Sequence, residues 1–271
     1  MDKIGNVEVE RPSAPDLILD LLMADGGSLP AEMLCRAGML MGIGEAAVRV
    51  GLTRLVRSGK VVREGRGSYA LHRSGPALLR AVDDWRSRHE QTVPWAGDWL
   101  AVHDSTVLHS DKTVWRRHSL AFGLRGFAEL QPALRLRPDN LAGGLAAERE
   151  RLAALGLAPA ALVFRLAGLD RERQRAAGAL WDTAALARTY ERLGAALERS
   201  RARLQLQGLE AACRESLLLG RALIGHLLRD PLLPLALMSS DARSTLVAAM
   251  GRYQDEALLL WRRWYPLSGP H

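Results

Sequence analysis

Residues 42–71, GIGEAAVRVGLTRLVRSGKVVREGRGSYAL, admit few local folds. The first half has helical spacing. Val48, Leu52, Leu55 and Val56 fall at i, i+4, i+7 and i+8 and form one apolar stripe, while Arg49, Thr53 and Arg57, again four apart, form another. Gly51 stands mid-helix, where it costs about 1 kcal/mol relative to alanine. Gly59 ends the helix as a C-terminal cap would. Residues 60–62 and 68–71 then flank Glu64-Gly65-Arg66-Gly67, whose glycines permit positive φ, so the spacing predicts a short β-hairpin with an arginine at its tip. Between positions 42 and 73, seven Lys/Arg stand against two acids, a local excess of five in a chain whose net charge is +7. A basic helix face beside a basic hairpin suits a groove lined by phosphates.

The residues before this stretch add two helices. Ser13 is an N-cap with Pro15 in the first turn, and Leu17, Ile18, Leu21 and Leu22 make the apolar face of a helix ending near Gly26-Gly27. A second helix follows Leu29-Pro30, with Met33, Leu34, Ala37 and Leu40 inward, and breaks at Gly42. Helix, helix, helix, hairpin is the order of a winged helix-turn-helix, and it favours a DNA reader over a winged helix used for protein contact. Residues 1–12 read as a flexible arm, residues 13–73 as the winged-helix domain, and residues 74–92 as a charged connector helix.

Beyond the connector the periodicity changes. Residues 99–102 form a short apolar strand, residues 111–122 a helix stopping at Gly123, and residues 127–130 and 134–137 a strand pair around Gln131-Pro132. A helix from Asn140 or Leu141 to Leu155 ends at Gly156, and residues 161–166 form a last strand. This βαββαβ order predicts a ferredoxin-like middle domain over residues 93–169. Residues 170–271 read as a C-terminal all-α domain, with Asp182 capping a long helix that carries Leu186, Tyr190, Leu193 and Leu197. A helix over residues 217–227 stops before Asp230-Pro231-Leu232-Leu233-Pro234, where two prolines form a rigid connector, and a final helix runs from Ser240 to Trp264. The fold class is therefore α+β in three parts.

At 271 residues and 48% apolar composition the chain can bury more than one core. It holds no apolar run near the ~20 residues needed to span a bilayer, and its start is polar, so a cytoplasmic protein without a membrane partner is expected. Cys35 and Cys213 lack CxxC spacing and read as buried reduced thiols. His103, His109 and His118 match no zinc template, and no phosphate loop, nucleophile elbow or paired-carboxylate signature occurs, so no metal, cofactor or catalytic residue is expected.

Several separated motifs resemble one family, the PaaX-like transcriptional regulators, repressors of phenylacetate degradation. In the basic helix they are Gly42-Ile43, Ala47-Val48-Arg49 and Arg54-Leu55-Val56-Arg57-Ser58-Gly59; in the hairpin, Gly67-Ser68-Tyr69-Ala70-Leu71 followed by Gly75. Further along come Trp99, Phe122-Gly123, Leu130-Gln131-Pro132, Leu180-Trp181-Asp182 with Leu186 and Tyr190, and Arg229-Asp230-Pro231-Leu232-Leu233-Pro234. The resemblance spans residues 16–253 in order. It implies a homodimeric repressor that binds double-stranded operator DNA through its winged helices and is released by an aryl-acyl-CoA such as phenylacetyl-CoA.

On this reading Arg49 and Arg57 face guanine O6/N7 and Thr53 a thymine methyl or a phosphate. Arg54, between the two stripes, makes a backbone contact or an internal salt bridge. Lys60, Arg66, Ser68 and Tyr69 contact phosphate or the minor groove. An acyl-CoA needs cationic side chains near an apolar pocket, and Arg116, Arg117, Trp181, Arg188, Tyr190, Arg221 and His226 are the candidates. Two alternatives stand beside this one. An Mg-dependent nuclease would use Asp104 after the first middle-domain strand, and a winged helix used for protein contact would show no salt-dependent DNA affinity.

Overall fold

A computed structural model of the protein describes residues 2–65, 67–72, 85–107 and 110–265. The chain is α+β, with several small antiparallel sheets and a helical C-terminal region. Its residues form two compact units. One comprises residues 1–83, 191–225 and 245–271; the other comprises residues 84–190 and 226–244.

The first unit opens with a hairpin of β1 (Asp2–Ile4) and β2 (Val7–Val9), paired antiparallel around Gly5 at φ +59°. Residues 2–9 are thus not the loose arm their polarity suggests. Alternation places Val7 and Val9 on one buried face, and the Arg192 guanidinium holds the turn through the Asn6 carbonyl at 2.9 Å. Three helices follow, α1 (Ala14–Asp25), α2 (Ala31–Leu40) and α3 (Glu45–Arg57). Ser13 caps α1, its hydroxyl accepting from the Asp16 amide, and Gly26 ends it in the left-handed conformation. A three-stranded antiparallel sheet completes the segment in the order β3 (Ser28–Pro30), β5 (Ser68–Leu71), β4 (Val61–Glu64). The sequence pattern misses β3, because a three-residue strand ending in proline leaves no periodicity; Pro30 is tolerated there because β3 is an edge strand.

Two glycines set how closely these helices cross. Gly38 of α2 is buried against α3, where an added Cβ would stand 2.5 Å from Val48 Cγ2 and 3.1 Å from the Ile43 carbonyl oxygen. Gly51 of α3 faces α1, where a Cβ would meet Ile18 Cδ1 at 3.1 Å and Ala14 backbone at 3.4 Å. The buried stripe of α3 is Val48, Gly51, Leu52 and Leu55. Val56, assigned to that stripe by spacing, is instead 40% exposed, because the turn after Leu55 carries it past the edge of the interface.

Three helices of the C-terminal region brace this unit: α7 (Thr183–Leu204), α8 (Leu209–Leu228) and α9 (Asp241–Trp264). Within the unit, Arg221 of α8 pairs with Asp20 of α1, and Arg36 of α2 lies 4.6 Å over the Trp264 ring of α9. Ser200, Glu215 and Tyr253 join α7, α8 and α9 through hydrogen bonds of 2.7 and 2.8 Å at the Ser200 hydroxyl. Cys35 and Cys213 are free and buried, as their spacing suggests, and burial pushes the Cys213 thiol up to about 12.

The second unit is built on a four-stranded antiparallel sheet in the order β7 (Ala128–Gln131), β8 (Leu134–Pro138), β6 (Trp99–His103), β9 (Leu162–Leu166). Alternation along β6 divides its core. Leu100 and Val102 pack with Phe122 and Leu152 of α4 (Lys112–Arg125) and α5 (Gly144–Leu155) on one face. Trp99 and Ala101 pack on the other with Ala177 of α6 (Arg171–Gly178), where Trp181 stacks on Trp99 at 6.1 Å. The helix α4 does not stop at Gly123 but runs on to Gly126, whose φ of +70° provides the cap. Asp170 and Asp182 cap the helices that follow them. The expected connector over residues 74–92 lies mostly outside the described residues; its end, Arg88–Gln91, is a single 3₁₀ turn.

Buried arginines hold this unit's helix ends. Arg88 donates to the carbonyls of Leu124, Leu227 and Leu228, and Arg137, fully buried, donates to those of Arg125 and Pro138 and to Asn140 Oδ1. The last carbonyls of a helix have no partner within it, and a guanidinium supplies both donors and the favourable charge. Burial pulls Arg137 down to about 9 and Arg88 to about 10, so both remain protonated at neutral pH. Arg125 pairs with Glu148, joining α4 to α5 at 2.6 and 2.8 Å.

The two kinds of glycine predict opposite outcomes. Gly38→Ala forces Val48 or the backbone to move and should lower stability by about 1–3 kcal/mol. Gly123→Ala, in an exposed mid-helix site with nothing within 4 Å of the new Cβ, should raise it by about 0.5–1 kcal/mol. Urea unfolding of the two variants measures both signs.

Candidate nucleic-acid interface

The helix α3 offers its solvent face because its other side is fixed by Val48, Gly51, Leu52 and Leu55. Its C-terminus is sealed by a Schellman motif, in which the Gly59 amide donates to the Val56 carbonyl and the Lys60 amide to the Leu55 carbonyl, with Gly59 at φ +66°. This closure places Lys60 directly at the base of the β4–β5 hairpin, whose register runs from Val61↔Leu71 to Glu64↔Ser68. Gly65 and Gly67 take positive φ in the hairpin turn, and the Gly67 carbonyl accepts the Ala31 amide at 2.9 Å, tying the hairpin to the start of α2.

Arg49, Thr53, Arg54 and Arg57 are all exposed on α3, and Lys60, Ser68 and Tyr69 are half-buried along the hairpin. Arg66 lies outside the described residues. The structure thus brings the α3 cations and the hairpin residues together in one segment. It adds a partner that the sequence reading passes over. Arg49 Nε and Nη2 donate to Glu45 Oε1 at 2.8 and 2.6 Å, one turn back along the helix. Glu45 holds Arg49 in its charged form, with Cys35 and Tyr69 adding smaller contributions. The i, i+4 Glu–Arg spacing was the signal that could have revealed it. An exposed pair of this kind exchanges readily for a phosphate or base partner. The Thr53 hydroxyl donates to the Arg49 carbonyl at 3.0 Å.

Within the second unit, the proposed effector residues fall on different faces of the sheet. Arg116 and Arg117 are exposed on α4, on one face of the four-stranded sheet, whereas Trp181 packs on the opposite face against Trp99. Tyr190 is buried and its hydroxyl bonds to Asp230, burial and that carboxylate together pushing its pKa up. Arg221 is committed to Asp20 in the first unit. Arg188 and His226 are exposed. Spacing along the chain cannot tell which face of a sheet a helix will cover, and these residues were separated by that choice.

Asp104, the residue on which a nuclease would depend, is 3% exposed and already paired. Its Oδ2 meets Arg135 Nη1 at 2.6 Å and His118 Nε2 at 2.9 Å. His118 Nδ1 accepts the Ala158 amide, so its Nε2 carries the proton donated to Asp104. Among the described residues no group of three His, Cys, Asp or Glu side chains is placed to hold a metal ion, and no helix is long and apolar enough to cross a membrane.

Residues 16–75 match the model of the PaaX-like protein family, the family that the sequence motifs resemble. Among solved structures, the uncharacterized protein Rv0674 from Mycobacterium tuberculosis is similar at 25% identity, with a TM-score of 0.56 over 90% of this chain and 98% of that one. No curated protein matches the chain.

Because Asp104 accepts from the fully buried His118 Nε2 and from Arg135, which keeps Glu129 at 2.8 Å, Asp104→Ala should destabilise the protein by about 1–3 kcal/mol. Thermal unfolding checks this, and the loss should be the same with and without added Mg²⁺.

Proposed function

We propose that this protein is a DNA-binding transcriptional regulator whose residues 13–73 act as a winged helix-turn-helix. The observation that carries the reading is the exposed basic face of α3 beside a basic hairpin, within the segment that matches the PaaX-like family. Three helices in order, α2 and α3 crossing closely at Gly38, and a three-stranded sheet ending in a hairpin support that architecture. The strand order β7-β8-β6-β9, antiparallel throughout and with both helix crossovers, supports a ferredoxin-like plan for the middle of the chain.

In this mechanism α3 enters the major groove. Arg57 and Arg49 donate to guanine O6 and N7, Arg49 after exchanging Glu45 for the base, while Arg54, Lys60, Arg66, Ser68 and Tyr69 contact the backbone and set the register. By resemblance to the family, the protein acts as a homodimeric, non-enzymatic, cytoplasmic repressor of an aromatic-acid operon, released by an aryl-acyl-CoA such as phenylacetyl-CoA. Release requires that the effector favour a dimer geometry in which the two reading helices no longer match their half-sites.

A mobility-shift titration on promoter DNA across a salt series tests this reading. Binding should weaken steeply with salt. Arg57→Ala should lose about 1–3 kcal/mol on the specific site alone, and Lys60→Ala should weaken specific and nonspecific DNA equally. Phenylacetyl-CoA, but not free phenylacetate, should release the complex. Salt-independent or absent DNA binding would overturn the proposal in favour of a protein-contact module.

A further inference from the structure

The line of α3 most remote from its packing carries only one of the helix's exposed arginines, Arg57. Ala46, Val50, Thr53 and Arg57 each stand two residues, about half a turn, from one or two of the buried Val48, Leu52 and Leu55, and all four are exposed. Val50 leaves 51% of its surface in solvent. Thr53 has turned its hydroxyl back onto the Arg49 carbonyl, so its methyl is what it offers outward. Arg49, bonded to Glu45, lies to one side of this line. The outermost strip of the helix, over its first two and a half turns, is therefore apolar within a basic frame.

A solvated helix face ordinarily carries Lys, Glu or Gln, which lose less side-chain freedom in a helix than β-branched residues do. Two β-branched side chains on the most projecting line need another account. Within the major groove the 5-methyl of thymine is the apolar group on a base edge, and an apolar side chain recognises it by contact. We infer that Val50, supported by Ala46 and the Thr53 methyl, reads a thymine 5-methyl at the centre of the recognition site, so that specificity comes from an apolar contact between flanking guanidinium contacts. This inference rests on the DNA-reading function proposed above.

The test uses the full-length protein and a random pool of synthetic duplexes. Selected sites should contain a thymine whose replacement by deoxyuridine, which lacks only the 5-methyl, weakens binding about fourfold, the effect of one buried methyl group. Val50→Ala should lose the same fourfold on the thymine duplex and show no further loss on the deoxyuridine duplex, with an unchanged melting temperature because Val50 is exposed. If deoxyuridine has no effect at any thymine, if no thymine is selected, or if Val50→Ala retains the full deoxyuridine penalty, the inference is overturned while DNA reading stands. If no duplex is enriched at all, the DNA-reading proposal itself fails and takes the inference with it.

Discussion

The close crossing of α3 over α1 and α2 is the contact on which the interface depends. At Gly38 an added Cβ would collide with Val48, and at Gly51 it would press on Ile18 and Ala14, so both glycines sit where the helices pack tightly. With that approach made, Val48, Leu52 and Leu55 become fully buried, and the orientation of α3 about its own axis is fixed. Everything the helix offers to solvent follows from this rotation. Arg49, Thr53, Arg54 and Arg57 are available because the opposite face is not, and Val50 faces solvent because it lies about half a turn from both Val48 and Leu52. The Schellman closure at Gly59 then carries the same precision into the hairpin, since the Lys60 amide donates to the Leu55 carbonyl and the Lys60 carbonyl accepts the His72 amide just beyond β5.

The second unit is organised by a different device. Packing helices over a sheet leaves their C-terminal carbonyls inside the protein, and here Arg88 and Arg137 supply the missing donors. Asn140 reaches the carbonyl of Leu232, a residue held at φ +53° between Pro231 and Pro234, and Asp230 accepts the Leu232 amide. The Asp230-Pro231-Leu232-Leu233-Pro234 segment is thus a buried strut rather than a linker. Gly126, the left-handed cap of α4, meets Pro231 at a distance where a Cβ would be 2.5 Å from its Cα, so the site admits only glycine. Asp104, His118 and Arg135 belong to the same kind of structural network.

The helices, most strands and the exposed basic face of α3 were legible in the sequence because they rest on periodicity and on caps such as Ser13, Gly156 and Asp182, which are local. What was not legible depends on a partner far along the chain. Gly51 reads as a helix penalty until α1 is seen against it. Val56 is apolar, but nothing in its spacing marks the edge of the interface. The β1–β2 hairpin and β3 are too short to show alternation, and the capping arginines bond to carbonyls, which every residue possesses. Trp181 and the α4 arginines lie on opposite faces of one sheet, a choice made by topology and not by composition.

The central claim, that α3 enters the major groove, is tested most directly by dimethyl sulfate protection on a bound promoter duplex, because the reagent methylates guanine N7 in that groove. The account predicts protected guanines within the site in the wild-type complex, with protection at one of them lost in Arg57→Ala. Guanines that remain fully reactive in a saturated wild-type complex would contradict it.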